Sequence, residues 1–360
     1  MRSASRRSLC LVLAITLPSC AGRLFCADEK APAAEKPPAA ALLEAALQLE
    51  NARRYDEALV KLRAAAALDA PPTLAADILY RTGETLFRKG RDMAQQRTLS
   101  TEAAPTLRQA EKTLKEVLDR YPKAEKASSA GYLRGTCLLL LDEMQNALAA
   151  YKHVFDAYPG SREQPGALVR MGVCQAGLGN VAGAKTAFEL FLTQFPQEKA
   201  DAPKLRQQLL ELTLVGRPAP PLAPKSWLQG AIGERGLAEL QGQPVVVVFF
   251  ATWCPNCANE LPHLRVLMRE WNPKGVAFIG VANPEDPRAT MSVDEYVRTR
   301  TLDFADVALD PTTRAMAAYR VTGFPAAAII DRTGTVRWRG HLSFLPNGLI
   351  AESAKPEAKP

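Results

Sequence analysis

The sequence predicts two folded parts of different class, an all-α stack of helical hairpins followed by an α/β domain. Three observations carry this reading: a 37-residue recurrence in the first half, a cluster of prolines near the middle, and a wholly apolar run that leads into a Cys-x-x-Cys. Length agrees, because 360 residues exceed the roughly 250 to 300 that one hydrophobic core serves. Hydrophobic residues make up 47% and charged residues 23%, so the chain is neither disordered nor fibrous, and no apolar run approaches a membrane span. The formal charge is +7, but Arg2, Arg6 and Arg7 lie in a leader-like segment, and without them +4 remains. No basic stripe interleaves with aromatics, so nucleic acid is not an expected partner.

Taken from the N-terminus, Arg2, Arg6 and Arg7 precede the apolar run 9–17 and then small residues, the order of a secretory signal, assigned to 1–27. Two processing routes are open. Ser19-Cys20-Ala21 suits an ordinary cut, whereas Leu17-Pro18-Ser19-Cys20 resembles a bacterial lipobox apart from Pro18, which makes Cys20 a candidate lipidation site. Either way the chain is expected to be exported, to the periplasm or cell envelope. The lipidated form would be a membrane-tethered lipoprotein. Residues 28–40, rich in Ala and Pro, read as a flexible linker.

Residues 41–212 carry the repeat. Tyr121-Pro122, Tyr158-Pro159 and Phe195-Pro196 are spaced at 37, as are Gly135 and Gly172, Cys137 and Cys174, and Ala110, Ala147 and Ala184. Each proline stops a second helix, and each small residue lets two helices approach. Gly83 precedes Gly135 by 52, so an insertion of 15 falls near Asp92 to Thr106. These units resemble tetratricopeptide repeats, which implies a solenoid that binds a partner protein or peptide. Cys137 and Cys174 occupy equivalent places, about 10 Å apart if repeats stack, beyond the ~7 Å a disulfide tolerates, and read as small buried hydrophobes.

Residues 213–225, with Pro218, Pro220, Pro221 and Pro224, read as a linker, and 226–345 as a second domain. Val245 to Phe250 is β-branched or aromatic throughout, as a strand covered on both faces requires. Trp253-Cys254-Pro255-Asn256-Cys257 follows, then a helical segment from Ala258 to Trp271. A helix N-terminus stabilises a thiolate at Cys254, and two intervening residues let Cys257 close a disulfide, so the pair points to redox chemistry. A zinc site, the rival, wants four ligands, and only His153, His263 and His341 accompany this pair. Neither a metal nor another cofactor is expected.

This motif after a hydrophobic strand, with Gly323-Phe324-Pro325 some seventy residues later, resembles the thioredoxin-fold domain of the TlpA-like extracytoplasmic oxidoreductases. The resemblance implies a nucleophile at Cys254, a resolving thiol at Cys257, and a substrate face made by Trp253, Phe324 and a cis Pro325. The buried Asp of thioredoxins is replaced by Val248. Glu260, in Cys257-x-x-Glu260-x-Pro262, is the candidate proton acceptor, while His263 is expected to face solvent. The resemblance also implies protein substrates carrying cysteines or disulfides, reduction as the favoured direction, and then a membrane electron donor. An envelope assembly scaffold with a redox-gated thioredoxin module is the alternative. Residues 283–310 read as an insertion with its own helix and strand, and 326–339 as a hairpin about Arg332-Thr333-Gly334. Beyond His341 only a short turn-rich segment is expected, leaving a sheet face poorly covered. Residues 346–360 read as a flexible tail.

Overall fold

The computed structural model describes residues 38–96, 103–222, 224–229, 232 and 236–355. The leader, Cys20 and nearly all of the 28–40 linker lie outside these residues. Among the described residues nine helices come first: α1 (Ala39–Asn51), α2 (Tyr55–Ala66), α3 (Pro72–Gln96), α4 (Ala103–Arg120), α5 (Ala127–Leu140), α6 (Met144–Ala157), α7 (Gln164–Gly177), α8 (Val181–Gln194) and α9 (Ala202–Leu212). They form four hairpins and a closing helix.

The recurring small residues are where the hairpins touch. A Cβ added at Gly83 would fall 2.7 Å from Leu114, at Gly135 2.8 Å from Tyr151, and at Gly172 2.3 Å from Phe188. Each glycine therefore seats the large residue of its own second helix. Ala58, Ala110, Ala147 and Ala184 are completely buried in corresponding places. The inserted residues lengthen α3 to 25 residues, against 14 in α5 and α7. The extra turns carry Asp92, which accepts a hydrogen bond from Tyr55 at 2.7 Å and so ties α3 to α2.

Among the described residues the second half forms a six-stranded mixed sheet in the order β1-β4-β3-β2-β5-β6. Its strands are β1 (Ser226–Trp227), β2 (Val245–Phe249), β3 (Ala277–Ala282), β4 (Asp306–Leu309), β5 (Ala326–Ile330) and β6 (Val336–His341). Strand β2 runs parallel to β3 and antiparallel to β5. All five of its residues are buried. Val246 and Val248 face α10 (Pro255–Trp271), while Val245, Val247 and Phe249 face α12 (Arg314–Ala318) and Tyr319. Period-two alternation buries both faces, which is why the run contains no polar residue. The predicted insertion supplies α11 (Val293–Thr299) and β4.

Two expectations need correction. The segment 346–360 is not a free tail as far as Lys355: α13 (Asn347–Ala354) packs on the hairpin with Leu349 and Ile350 buried, so the face expected to be bare is covered. Its apolar residues, Leu349 to Ala351 and Ala354, fall within only eight positions, too short a run for periodicity to announce a helix. The 213–225 linker is not loose either. Gly216 and Val336, Arg217 and Val336, and Ala219 and Gly334 exchange backbone hydrogen bonds at 2.8–2.9 Å, so this segment covers the outer edge of β6. A proline-rich strand suits an edge, since it needs few N–H donors there.

The two halves meet directly. Arg339 of β6, almost fully buried, lies 3.5 Å from Glu211 of α9 and donates from Nε to the Tyr319 carbonyl at 2.8 Å. Gln207 of α9 donates to the Arg320 carbonyl. Phe344, just after β6, packs among the apolar residues of α5 to α9, with the Arg170 guanidinium 5.1 Å from its ring centre.

Candidate active site

Strand β2 ends at Phe249, and the chain crosses five residues before α10 begins at Pro255. Proline fits the first helical position because its missing N–H would be unpaired there. Cys254 is thereby the N-cap, with an extended backbone (φ −84°, ψ 113°), and its sulfur accepts the N–H of Cys257 at 3.3 Å. The predicted helix start at Ala258 is thus three residues late, and both cysteines belong to the first turn.

The two thiols are neighbours in the first turn of α10, and each feels the other. Their surroundings differ. Both are buried, but Cys254 retains 7% of its surface and Cys257 2%, so Cys254 is the more accessible of the two. Burial, then the neighbouring sulfur, pushes the Cys257 thiol well above its ordinary range. Opposite, the Phe324–Pro325 peptide is cis, and the Phe324 carbonyl lies 3.8 Å from the Cys254 sulfur. Trp253 meets Phe324 edge to face at 6.3 Å between ring centres. The structure therefore brings Trp253, Cys254, Cys257, Phe324 and Pro325 together. Val248, where thioredoxins carry an acid, is buried in the apolar core beneath them.

Glu260 sits one turn along α10, but among the described residues its hydrogen bond is with Ser343, whose hydroxyl donates at 2.5 Å, and not with a thiol. His263 Nδ1 stands 3.9 Å from its other oxygen. Burial would raise the Glu260 carboxyl; His263 and Ser343, with the charge of His341, outweigh it and hold the group below its ordinary value. His263 does not face open solvent as expected. It lines a cavity of about 210 Å³ with Leu139, Leu141 and Asp142 of the repeats, because α10 packs against them.

Sequence reasoning missed Arg288. Its guanidinium lies 3.6 Å from the Trp253 ring centre and is held by Asp286 through two hydrogen bonds of 2.8–2.9 Å. That pairing holds the Asp286 carboxyl well below the usual range. The Asp-x-Arg spacing in the 283–310 insertion was visible, but nothing in the sequence placed it over the tryptophan. Ser343 had no signal at all. Cys137 and Cys174, as expected, are fully buried free thiols, each pushed up to about 12 by burial.

Comparison with known proteins gives the families that both halves resemble. Residues 215–339 match the AhpC/TSA family and residues 166–198, spanning α7 and α8, match a tetratricopeptide repeat. The chain is 32% identical over 100 residues to the thiol-disulfide oxidoreductase ResA of Bacillus cereus, covering 28% of this chain and 56% of that protein. It is also 32% identical over 125 residues to ResA of Halalkalibacterium halodurans, covering 34% of this chain and 68% of that one. The match thus spans little more than half of the first relative and about two thirds of the second. A solved thioredoxin-family thiol:disulfide interchange protein from Chlorobium tepidum is 29% identical, covering 38% of this chain and 97% of that chain, at a TM-score of 0.29. The chain belongs to the thioredoxin-like thiol-disulfide oxidoreductase family represented by ResA, with tetratricopeptide repeats preceding the redox domain.

Proposed function

We propose that this protein is an exported thiol-disulfide oxidoreductase that reduces disulfides in protein substrates through Cys254 and Cys257. The observation that carries the reading is the asymmetry of the pair: Cys254 caps α10, facing the carbonyl before the cis proline and keeping the larger exposure, while Cys257 lies deeper in the first turn. Cys254 thiolate attacks one sulfur of a substrate disulfide. The S–S bond breaks, the other substrate sulfur leaves as thiolate, and a mixed disulfide remains. Cys257, giving its proton to Glu260, attacks the Cys254 sulfur and displaces the second substrate thiolate. Two electrons have passed to the substrate, and the protein holds a Cys254–Cys257 disulfide. A dithiol electron donor at the membrane restores the pair.

The Phe324 carbonyl and the rings of Phe324 and Trp253 form the shelf on which a substrate backbone would lie. The repeats recruit the partner that carries the target cysteines. Export, and lipidation at Cys20 where it occurs, places the protein in the envelope, where cysteines need such upkeep.

The test is trapping. The Cys257→Ser protein, expressed in full, is expected to accumulate mixed disulfides that vanish when Cys254 is also replaced. If none form, while repeat-dependent partners bind equally well with both cysteines replaced, the envelope-scaffold function is the correct one.

A further inference from the structure

Residues 342–347 join three parts of the molecule. Ser343 donates to Glu260 on the active-site helix. Phe344, the next residue, is gripped by the repeats, packed with Tyr132 and Met171 and covered by Arg170. Asn347 accepts a hydrogen bond from Trp271 Nε1 at the far end of α10, and its backbone N–H faces Asp142 in the α5–α6 turn. A side chain that orients a carboxylate is thus anchored, one residue away, in a different domain. Neither the cysteine motif nor the repeat motif includes it.

We propose that Ser343 is a positioning residue for Glu260, and that the repeats hold it in place through Phe344. The repeats then do more than recruit: they set the orientation of the group beside the thiols. This rests on the reading of Glu260 as the proton acceptor of Cys257. The charged groups facing Glu260 are His263 on its own helix and His341 on β6; Asp142 of the repeats faces His263, and Lys204 of α9 and Arg339 face His341. Of the groups around Glu260, Ser343 is a neutral donor, so its removal leaves every charge in place.

The experiment is the pH profile of Cys254 alkylation in the full chain, with folding checked by circular dichroism. Removing the hydroxyl takes a stabilising donor from the Glu260 carboxylate, so in Ser343→Ala the limb that Glu260 contributes moves to higher pH, by about one unit. Ser343→Thr, which keeps a hydroxyl, restores the parental profile. Phe344→Ala, which frees the loop from the repeats, moves the limb in the same direction. In a Glu260→Gln background Ser343→Ala changes nothing further. A parental profile in Ser343→Ala, with Glu260→Gln still altering it, overturns the inference alone. A parental profile in Phe344→Ala overturns the role of the repeats. If Glu260→Gln is itself silent, the proton-acceptor reading fails and this inference fails with it.

Discussion

Both halves of the molecule bury a pair of free cysteines, and only the second pair lies at a helix N-terminus. Cys137 and Cys174 sit inside α5 and α7, away from either helix N-terminus and completely buried. Cys254 is also buried, yet it caps a helix, with an N–H aimed at its sulfur and a carbonyl across from it. On the proposed function, burial therefore does not separate inert from reactive thiols here. Position relative to the helix end does, because only there are backbone donors unspent.

The largest test of that contrast is to exchange the roles. Cys254→Ser should lower disulfide-exchange rates by at least about a thousandfold, since it removes the nucleophile outright. Cys137→Ala and Cys174→Ala should leave the rate unchanged, as measured by reduction of a model disulfide substrate. A loss of activity in either repeat variant would mean the second pair takes part after all.

A second test probes what the repeats spend their small residues on. Gly172→Ala gains about 1 kcal/mol of helix propensity but places a Cβ 2.3 Å from Phe188, an overlap worth roughly 1 to 3 kcal/mol. The overlap should win, lowering the urea midpoint while alkylation of Cys254 keeps its rate. Gly166→Ala on the same helix meets Tyr132 only at 3.2 Å and should be closer to neutral, or stabilising.

The smallest effect is expected where the halves meet. Burial pushes Asp142 up to about 6 although water still reaches it at the cavity mouth, and nearby Glu270 acts in the same direction while His263 opposes it. A carboxyl raised in the folded state favours the protonated form, so its contribution is full below the ordinary carboxylate range and is lost as pH rises through about 6. Asp142→Asn should flatten that decline, by at most ~2 °C in Tm between pH 4.5 and 7, because solvent screens the charge. A decline as steep as in the parent would remove Asp142 from the pH response.

Much of the site was legible because its parts are local. Trp253 through Cys257 is one unbroken stretch, and a strand before it and a helix after it follow from apolar period and proline placement. Phe324-Pro325 was legible through resemblance alone, as nothing nearby announces where that loop will lie. Glu260 was found by helical spacing, but its partner Ser343 is 83 residues away, so no pattern could pair them. The helix start was misplaced by three residues because Pro255 and Asn256 read as turn residues in isolation.

Local order in this chain was determined by sequence: where helices stop, which glycines must stay small, that one strand is covered on both faces, and that two cysteines share a helical turn. These follow from short-range sterics and hydrophobic period. Tertiary structure alone decided that the proline segment would cover the edge of β6, that the last residues would close the sheet, and that Phe344 would enter the repeats. Those outcomes depend on apolar surfaces and unpaired backbone groups far apart in the chain finding one another. Their free energy belongs to the pair of surfaces and is written in neither one.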